Sequence, residues 1–204
     1  MADGHLRATY DEIHMTIGKA SDEIAAWKPD LFIAIGGGGF FPARVLRSFV
    51  KHPTTGKNIS IQAIGLSLYE EVAGISAECV GKEVVRTQWL GPESRILLGR
   101  RCLIIDEVDD SRTTLAYAVA ELQRDVEEQL KALPEAEREA KRTKFAVFVV
   151  HNKLKPKAAE LPANIPYFTG EEIEDRWFDY PWEAKDIYEH DRLAAEGKAL
   201  RAKH

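Results

Sequence analysis

The sequence predicts an α/β fold built on a parallel, doubly wound sheet. Three short apolar runs, Leu31 to Ile35, Cys102 to Ile105 and Phe145 to Val150, have the composition of strands covered on both faces. Apolar residues at helical spacing lie between them. Two of the runs also end abruptly in residues suited to ligand contact, four glycines after Ile35 and a group of acids after Ile105. Open α/β sheets build their sites at such strand ends.

With 204 residues the chain suits one domain, spanning 1–204, with a substantial core and a small subdomain. The 33 acidic and 28 basic residues give a net charge of −5 and no dominant basic field, which argues against general nucleic-acid binding. Cys79 and Cys102 lack metal-ligand spacing and no apolar leader opens the sequence, so the chain reads as cytoplasmic and reduced. No apolar run reaches the length of a membrane span.

In chain order, Thr9 with Glu12 is a capping-box pattern, and Ile13, Ile17, Ile24 and Trp27 share one stripe, predicting a packing helix over Tyr10 to Trp27. His14, beside that stripe, reads as structural or surface. Pro29-Asp30 ends the helix, and the strand Leu31 to Ile35 runs into Gly36-Gly37-Gly38-Gly39. Such a turn lets the backbone approach a ligand and offer N–H groups to pyrophosphate, though a tight turn with close helix packing has the same composition. A dinucleotide fingerprint fails, because Pro42 occupies its third glycine position and no acid ends the next strand. Ile59 to Leu68 is that next strand. Tyr69 to Gly91 differs from the sheet segments, with a hairpin turn at Val80-Gly81-Lys82 and a returning strand over Glu83 to Gln88.

Cys102 to Leu115 concentrates the chemistry. The apolar run switches at Asp106-Glu107-Val108-Asp109-Asp110, which marks the carboxyl end of a strand, and Leu115, Val119, Leu122, Val126 and Leu130 then recur at helical spacing. Ser111, Thr113 and Thr114, with the N–H groups of the helix start, suit a phosphate monoester, while Asp106 and Glu107 suit sugar hydroxyls and Mg²⁺. A solvated turn capped by Ser111 is the plainer reading of the acids alone. Lys131 to Lys144, interrupted by Pro134, reads as a solvated connector. Phe145 to Val150 then ends in His151-Asn152-Lys153, where His151 suits strand-end packing and Lys155 and Lys157 suit surface charge. Trp182 in the aromatic stretch Asp175 to Glu183 reads as core, and a charged surface helix that frays follows from Asp186.

These residues resemble the phosphoribosyl diphosphate (PRPP) signature of the type I phosphoribosyltransferases, specifically the fungal 6-oxopurine members. The resemblance runs from about Tyr10 to Gly197 through IAIGGGGFFPARVLR, IQAIGLSLYEE, GKEVVRTQWL, VVHNKLKPK and DRWFDYPWE, in that order. It implies a doubly wound core with a small hood made of N-terminal and C-terminal pieces, the purine-binding part at about 165–185. By the same resemblance, Gly37 and Gly38 meet pyrophosphate, and Asp106, Glu107, Asp109, Ser111, Arg112, Thr113 and Thr114 hold PRPP. A mobile loop at about 69–91, led by Tyr69, closes over it. Asp110 is the implied acceptor of the purine N7 proton and Lys153 the donor to O6, an ammonium being a pure donor that prefers an oxo group to the amino group of adenine. Trp177 is implied to stack on the purine and the backbones of Phe178 and Asp179 to read its edge. Asp106, Glu107 and Glu183 are implied to hold Mg²⁺ directly or through PRPP and water.

The implied reaction is Mg²⁺-dependent transfer of ribose 5-phosphate to N9 of hypoxanthine, guanine or xanthine, giving IMP, GMP or XMP and pyrophosphate, in a homodimer. The alternative is a regulatory protein of the same fold that binds PRPP or a nucleotide without catalysis, against which Asp110 and Lys153 both argue. A plain Mg²⁺-dependent phosphate-binding module would not need the Trp177 segment. Two departures stand out. Arg112 occupies a position where many members have Gly, and Arg tolerates positive φ poorly; Gly37 stands where Lys or Arg is frequent. Positive charge for pyrophosphate must then come from elsewhere; Arg44, Lys82 and Arg86 are candidates, although each better suits solvated surface.

Overall fold

In the computed structural model, which describes residues 4–68, 84–91 and 95–201, the chain runs through eight strands and five helices among those residues. The strands are β1 (Leu6–Arg7), β2 (Leu31–Gly36), β3 (Ser60–Leu68), β4 (Val84–Gln88), β5 (Arg101–Asp109), β6 (Lys144–Lys153), β7 (Tyr167–Ile173) and β8 (Phe178–Asp179). The helices are α1 (Tyr10–Trp27), α2 (Phe40–Phe49), α3 (Thr113–Lys131), the short α4 (Glu135–Arg138) and α5 (Ile187–Arg201).

The apolar runs form the middle of a six-stranded sheet ordered β4-β3-β2-β5-β6-β7. Its pairs are parallel except β3 with β4. Successive side chains of a strand point to opposite faces. Ile33, Cys102, Ile104, Val147 and Val149 therefore pack with the Leu115, Val119 and Leu122 stripe of α3, while Phe32, Ala34, Leu103, Ile105 and Phe148 pack with Ile13, Ile17 and Ile24 of α1 and Leu46 of α2. Both faces are covered, as the continuous apolar runs require. Helix α1 has the expected bounds, with the Glu12 carboxylate accepting the Thr9 N–H at 2.9 Å.

The direction of winding reverses at β2, which pairs with β3 on one side and β5 on the other. Carboxyl ends that diverge in this way leave a crevice. The glycine turn follows β2 there and the acid-rich stretch closes β5 beside it.

Strand β5 extends past the apolar run as far as Asp109, with Val108 opposite His151 and Asp109 opposite Asn152. The change to acids at Asp106 therefore marks a change of side-chain environment and not the strand's end. Strand β6 reaches Lys153, so the β5 backbone still has partners and ladder pairing continues beneath the acidic side chains. The expected returning strand is β4, antiparallel to β3 with Leu66 opposite Arg86. Val80-Gly81-Lys82 and Tyr69 lie outside the described residues.

A separate parallel pair, β1 with β8, sets Leu6 opposite Phe178 and Arg7 opposite Asp179 and so joins N-terminal and C-terminal pieces. Within the expected purine-binding range of about 165–185, β7 lies at the edge of the main sheet, where β6 supplies its hydrogen bonds. Helix α5 is charged but anchored: His190 is buried with Nε2 2.9 Å from the Ala8 carbonyl, and Lys198 bonds Glu12. The connector after α3 is exposed and partly helical, with α4 followed by a 3-10 turn over Glu139–Lys141. Among the described residues no helix is long and apolar enough to cross a membrane.

Candidate active site

The crevice between β2 and β5 holds a cavity of about 430 Å³, lined among others by Gly36, Gly37, Gly38, Asp106, Glu107 and Thr114. A larger cavity of about 1130 Å³ opens at the opposite, amino ends of β5 and β6, beside Trp27, Arg101 and Lys144, and contains none of the predicted site residues.

In the glycine turn, a side chain at Gly38 would overlap the Glu107 carboxylate, whereas one at Gly37 would meet nothing within 4 Å. Gly38 therefore lets the turn close onto the acids, and the Gly37 position is open. The Gly36–Gly37 peptide is cis. Across the crevice, the Glu107 N–H donates to Asp106 Oδ1 at 3.0 Å, and Glu107 Oε2 is buried without a hydrogen-bond partner among the described residues. Burial and the adjacent Glu107 charge push the Asp106 carboxyl well above its ordinary range. Burial also raises the Glu183 carboxyl, opposed by the Tyr180 N–H and helped by the charges of Glu107 and Asp179. Among the described residues, no three His, Cys, Asp or Glu side chains are grouped to hold a metal alone.

The loop after β5 departs from expectation in its use of charge. Arg112 has φ 68° and ψ 0°, a left-handed conformation just before the first turn of α3. Its guanidinium donates from Nε and NH2 to Asp109 Oδ2 at 2.8 and 2.7 Å, the group lies 5.0 Å from the Tyr167 ring centroid, and the Tyr167 hydroxyl donates to the same oxygen at 2.8 Å. The Asp109 side chain is 0% exposed. Asp109 and Arg112, which the resemblance implies hold PRPP, both line the cavity, and their side chains pair with each other. Ser111 and Thr114 line the cavity, whereas the Thr113 hydroxyl accepts from Ser111 at 3.0 Å.

On the side where a base is expected, the Lys153 ammonium is buried 3.2 Å from Asp110 Oδ2. Lys155 donates to Asp110 Oδ1 at 2.7 Å and to Asp175 Oδ1 at 2.9 Å. Lys157 donates to the carbonyls of Asp109, Asp110 and Lys153 at 2.7, 3.0 and 2.9 Å, stitching the loop to the end of β6. Lys155 and Lys157 are therefore not solvated surface charges. Burial works to raise the Asp110 carboxyl, but the hydrogen bonds from Lys155 and Lys153 prevail and hold it below its ordinary value. Asp110 is an ionised acceptor at neutral pH.

Trp177 is 67% exposed and tilted against His5. Phe178 and Asp179 form β8, and the Asp179 carboxylate pairs with Arg7 at 2.7 Å and His5 at 2.9 Å. His151 packs as expected: it is buried, its ring 4.3 Å from Phe178, with Nδ1 2.9 Å from the Tyr180 hydroxyl, which donates onward to the Glu107 carbonyl at 3.1 Å. Burial pushes His151 down to about 4, so it is neutral at pH 7. Trp182 stacks between Tyr180 and Phe41, against the core. None of the described candidates supplies charge to the crevice: Arg44 donates to Ser48, and Arg86 pairs with Glu121 over the Trp89 ring. Lys82 lies outside the described residues, as does Tyr69.

No family model matches the chain. It is 53% identical to the hypoxanthine-guanine phosphoribosyltransferase of Schizosaccharomyces pombe, over 92% of this chain and 93% of that one. It is 47% identical to xanthine phosphoribosyltransferase 1 of Saccharomyces cerevisiae, over 91% and 93%. The chain belongs to the hypoxanthine-guanine and xanthine phosphoribosyltransferase family. A Neisseria gonorrhoeae hypothetical protein with bound ppGpp superposes on this phosphoribosyltransferase with a TM-score of 0.76 and 38% identity, over 95% of this chain and 98% of that one. The purine phosphoribosyltransferase of Pyrococcus horikoshii shares its fold, with a TM-score of 0.61 and 18% identity over 90% and 97%.

Lys155, Lys157, Tyr167 and Tyr180 are the site residues of this phosphoribosyltransferase that sequence reasoning missed. One signal was available for the lysines. They alternate with Lys153, which sets three lysines within five positions at the end of a strand.

Proposed function

We propose that the chain transfers the 5-phosphoribosyl group of PRPP to N9 of hypoxanthine, guanine or xanthine and releases pyrophosphate. The observation that carries this reading is the pairing of Lys153 with Asp110 at 3.2 Å beside the crevice of about 430 Å³. O6 and N7 are neighbours on the edge of a 6-oxopurine. A donor and an ionised acceptor this close match an O6 that accepts and an N7–H that donates. Adenine presents an amino group to the lysine, and an unpaired buried donor costs about 1 to 3 kcal/mol, more when charged. The hypoxanthine-guanine and xanthine enzymes among the relatives support the three bases together.

On this reading the N–H groups in the first turn of α3, which lack intrahelical partners, hold the 5-phosphate with Ser111 and Thr114. The partnerless Glu107 Oε2 and the pushed-up Asp106 carboxyl lie where acids outnumber cations, so the residues fit a hard divalent ion such as Mg²⁺. Asp106 and Glu107 would hold it together with PRPP oxygens, and Glu183 through water. The ion neutralises the leaving pyrophosphate when bound. The acidic wall favours an oxocarbenium-like ribosyl centre, and Asp110 takes the N7 proton. Closure by the segment from Tyr69 to Gly91 rests on the family resemblance. Exposed Phe41 on α2 and Tyr10 on α1, with ring centroids 6.2 Å apart, supply an apolar surface that suits a homodimer. Free, buried Cys102 suits a reducing cytoplasm.

A turnover assay with PRPP, Mg²⁺ and a panel of hypoxanthine, guanine, xanthine and adenine tests the proposal. Nucleotide and pyrophosphate should form in equal amounts with the first three bases and not with adenine. PRPP binding without turnover of any base would instead favour a regulatory protein.

A further inference from the structure

We propose that Lys155 is a positioning residue for the proton acceptor: anchored on Asp175, it holds one oxygen of Asp110 and leaves the other to the purine. The proposal deepens the reading of Asp110 above and rests on it.

The Asp110 side chain is 47% exposed, and a carboxylate at a loop start with so much access to water has no packing to fix its rotamer. Its orientation comes from two ammonium groups on different oxygens, Lys155 on Oδ1 at 2.7 Å and Lys153 on Oδ2 at 3.2 Å. Their roles differ because their anchors differ. Lys155 is also bound to Asp175 at 2.9 Å, and Asp175 lies two residues before Trp177 in the hood. The carboxylate of Asp175 restricts a side chain that otherwise has about 2 kcal/mol of rotamer entropy to lose.

A 6-oxopurine draws Lys153 toward O6 and frees Oδ2, the oxygen nearer to that lysine, for N7–H. Lys155 stays on Oδ1, so the acceptor keeps both its direction and one compensating charge while it works. The same bridge ties it to the segment that carries Trp177. The other charged groups around Asp110 do not duplicate this role. Lys157 binds its carbonyl at 3.0 Å, and Asp109 and Arg112 pair with each other. Asp110 should therefore depend on Lys155 most when a base has engaged Lys153. The Asp110 carboxyl is held below its ordinary value, and the Lys155 hydrogen bond contributes most among the lowering causes, which agrees.

The test is the pH profile of kcat/KM for guanine, measured on the whole protein at saturating PRPP and Mg²⁺. Lys155→Met should lower kcat/KM for guanine about tenfold near neutrality, leave KM for PRPP unchanged and move the acidic limb upward by about one pH unit, the usual effect of losing an opposite charge at this range. Lys155→Arg should restore most of the loss. Asp175→Asn should move the limb in the same direction by less. A wild-type limb and wild-type kcat/KM in Lys155→Met overturn the proposal; if that variant does not fold, an unmoved limb in Asp175→Asn does so. Asp110→Asn separates the two levels of argument. Full turnover in Asp110→Asn removes the acceptor reading itself, whereas its loss beside an unaltered Lys155→Met removes only the role of Lys155.

Discussion

Arg112 carries a conformation that most side chains avoid, and its neighbours explain how it persists. The left-handed region costs an L-residue roughly 1 to 2 kcal/mol, and here a fully buried carboxylate, two guanidinium hydrogen bonds and an aromatic face offset that cost. Arg112→Ala should keep the backbone strain and lose the latch, raising KM for PRPP about tenfold. Arg112→Gly should be milder, because Gly adopts positive φ freely. Steady-state kinetics on the two variants check this, and identical values would mean the latch and the strain are unrelated. Asp109 and Asp110, adjacent in sequence, should separate by readout. Asp110→Asn should cost about 10²- to 10⁴-fold in turnover with little change in thermal midpoint. Asp109→Asn leaves Arg112 without its partner and should cost several kcal/mol of stability, as broken buried pairs do. Comparable losses of stability in both would refute the separation. Residue identity alone could not assign these roles. The partners that decide them, Tyr167, Lys155 and Lys157, lie 45 to 58 positions away in sequence.

At the scale of elements, periodicity read the helices and strand centres well and strand ends poorly. The α1 stripe and the α3 stripe were legible because burial of a helix face imposes a 3.6-residue pattern. The end of β5 was not, because side-chain polarity reports environment while backbone pairing depends on how far β6 runs beside it. His151 marks this junction, since it joins the end of β6 through the Tyr180 hydroxyl to the Glu107 carbonyl of β5. Its folded value of about 4 lies below the ordinary 6.5, so protonation favours the unfolded chain. Stability from keeping His151 neutral is complete above about pH 6.5 and is lost as pH falls toward 4, a contribution of about 3 kcal/mol. Asp106 and Glu183, held above their ordinary values, act in the opposite sense, so the wild type must be compared with a variant. The thermal midpoint of His151→Gln should fall less steeply than that of the wild type between pH 6.5 and 4. Parallel curves would show that His151 does not govern acid stability.

At the scale of the molecule, pairing β1 with β8 brings residues about 170 positions apart together, and no local pattern announces it. A hood of N-terminal and C-terminal pieces was implied only by the ordered motif resemblance, whereas the doubly wound core followed from the apolar runs and the helical spacing between them. The crevice has a further whole-molecule property. Among the described residues its one lining cation, Arg112, is turned to Asp109, while Asp106, Glu107 and Asp110 also line it, in a chain of net charge −5. A multiply charged anion such as PRPP should therefore enter this site poorly by itself and well with a divalent ion that screens the acids. A ligand of the folded state at 100 times its Kd adds about 2.7 kcal/mol, or about 5 to 10 °C in thermal midpoint for a domain of this size. PRPP with Mg²⁺ should give such a shift, and PRPP with EDTA only a small part of it. Hydroxyls and backbone N–H groups would still hold the 5-phosphate without the ion, so a residual shift is expected and should diminish in Ser111→Ala. An EDTA-insensitive shift of full size would place the compensating charge in the protein and remove the ion from this account.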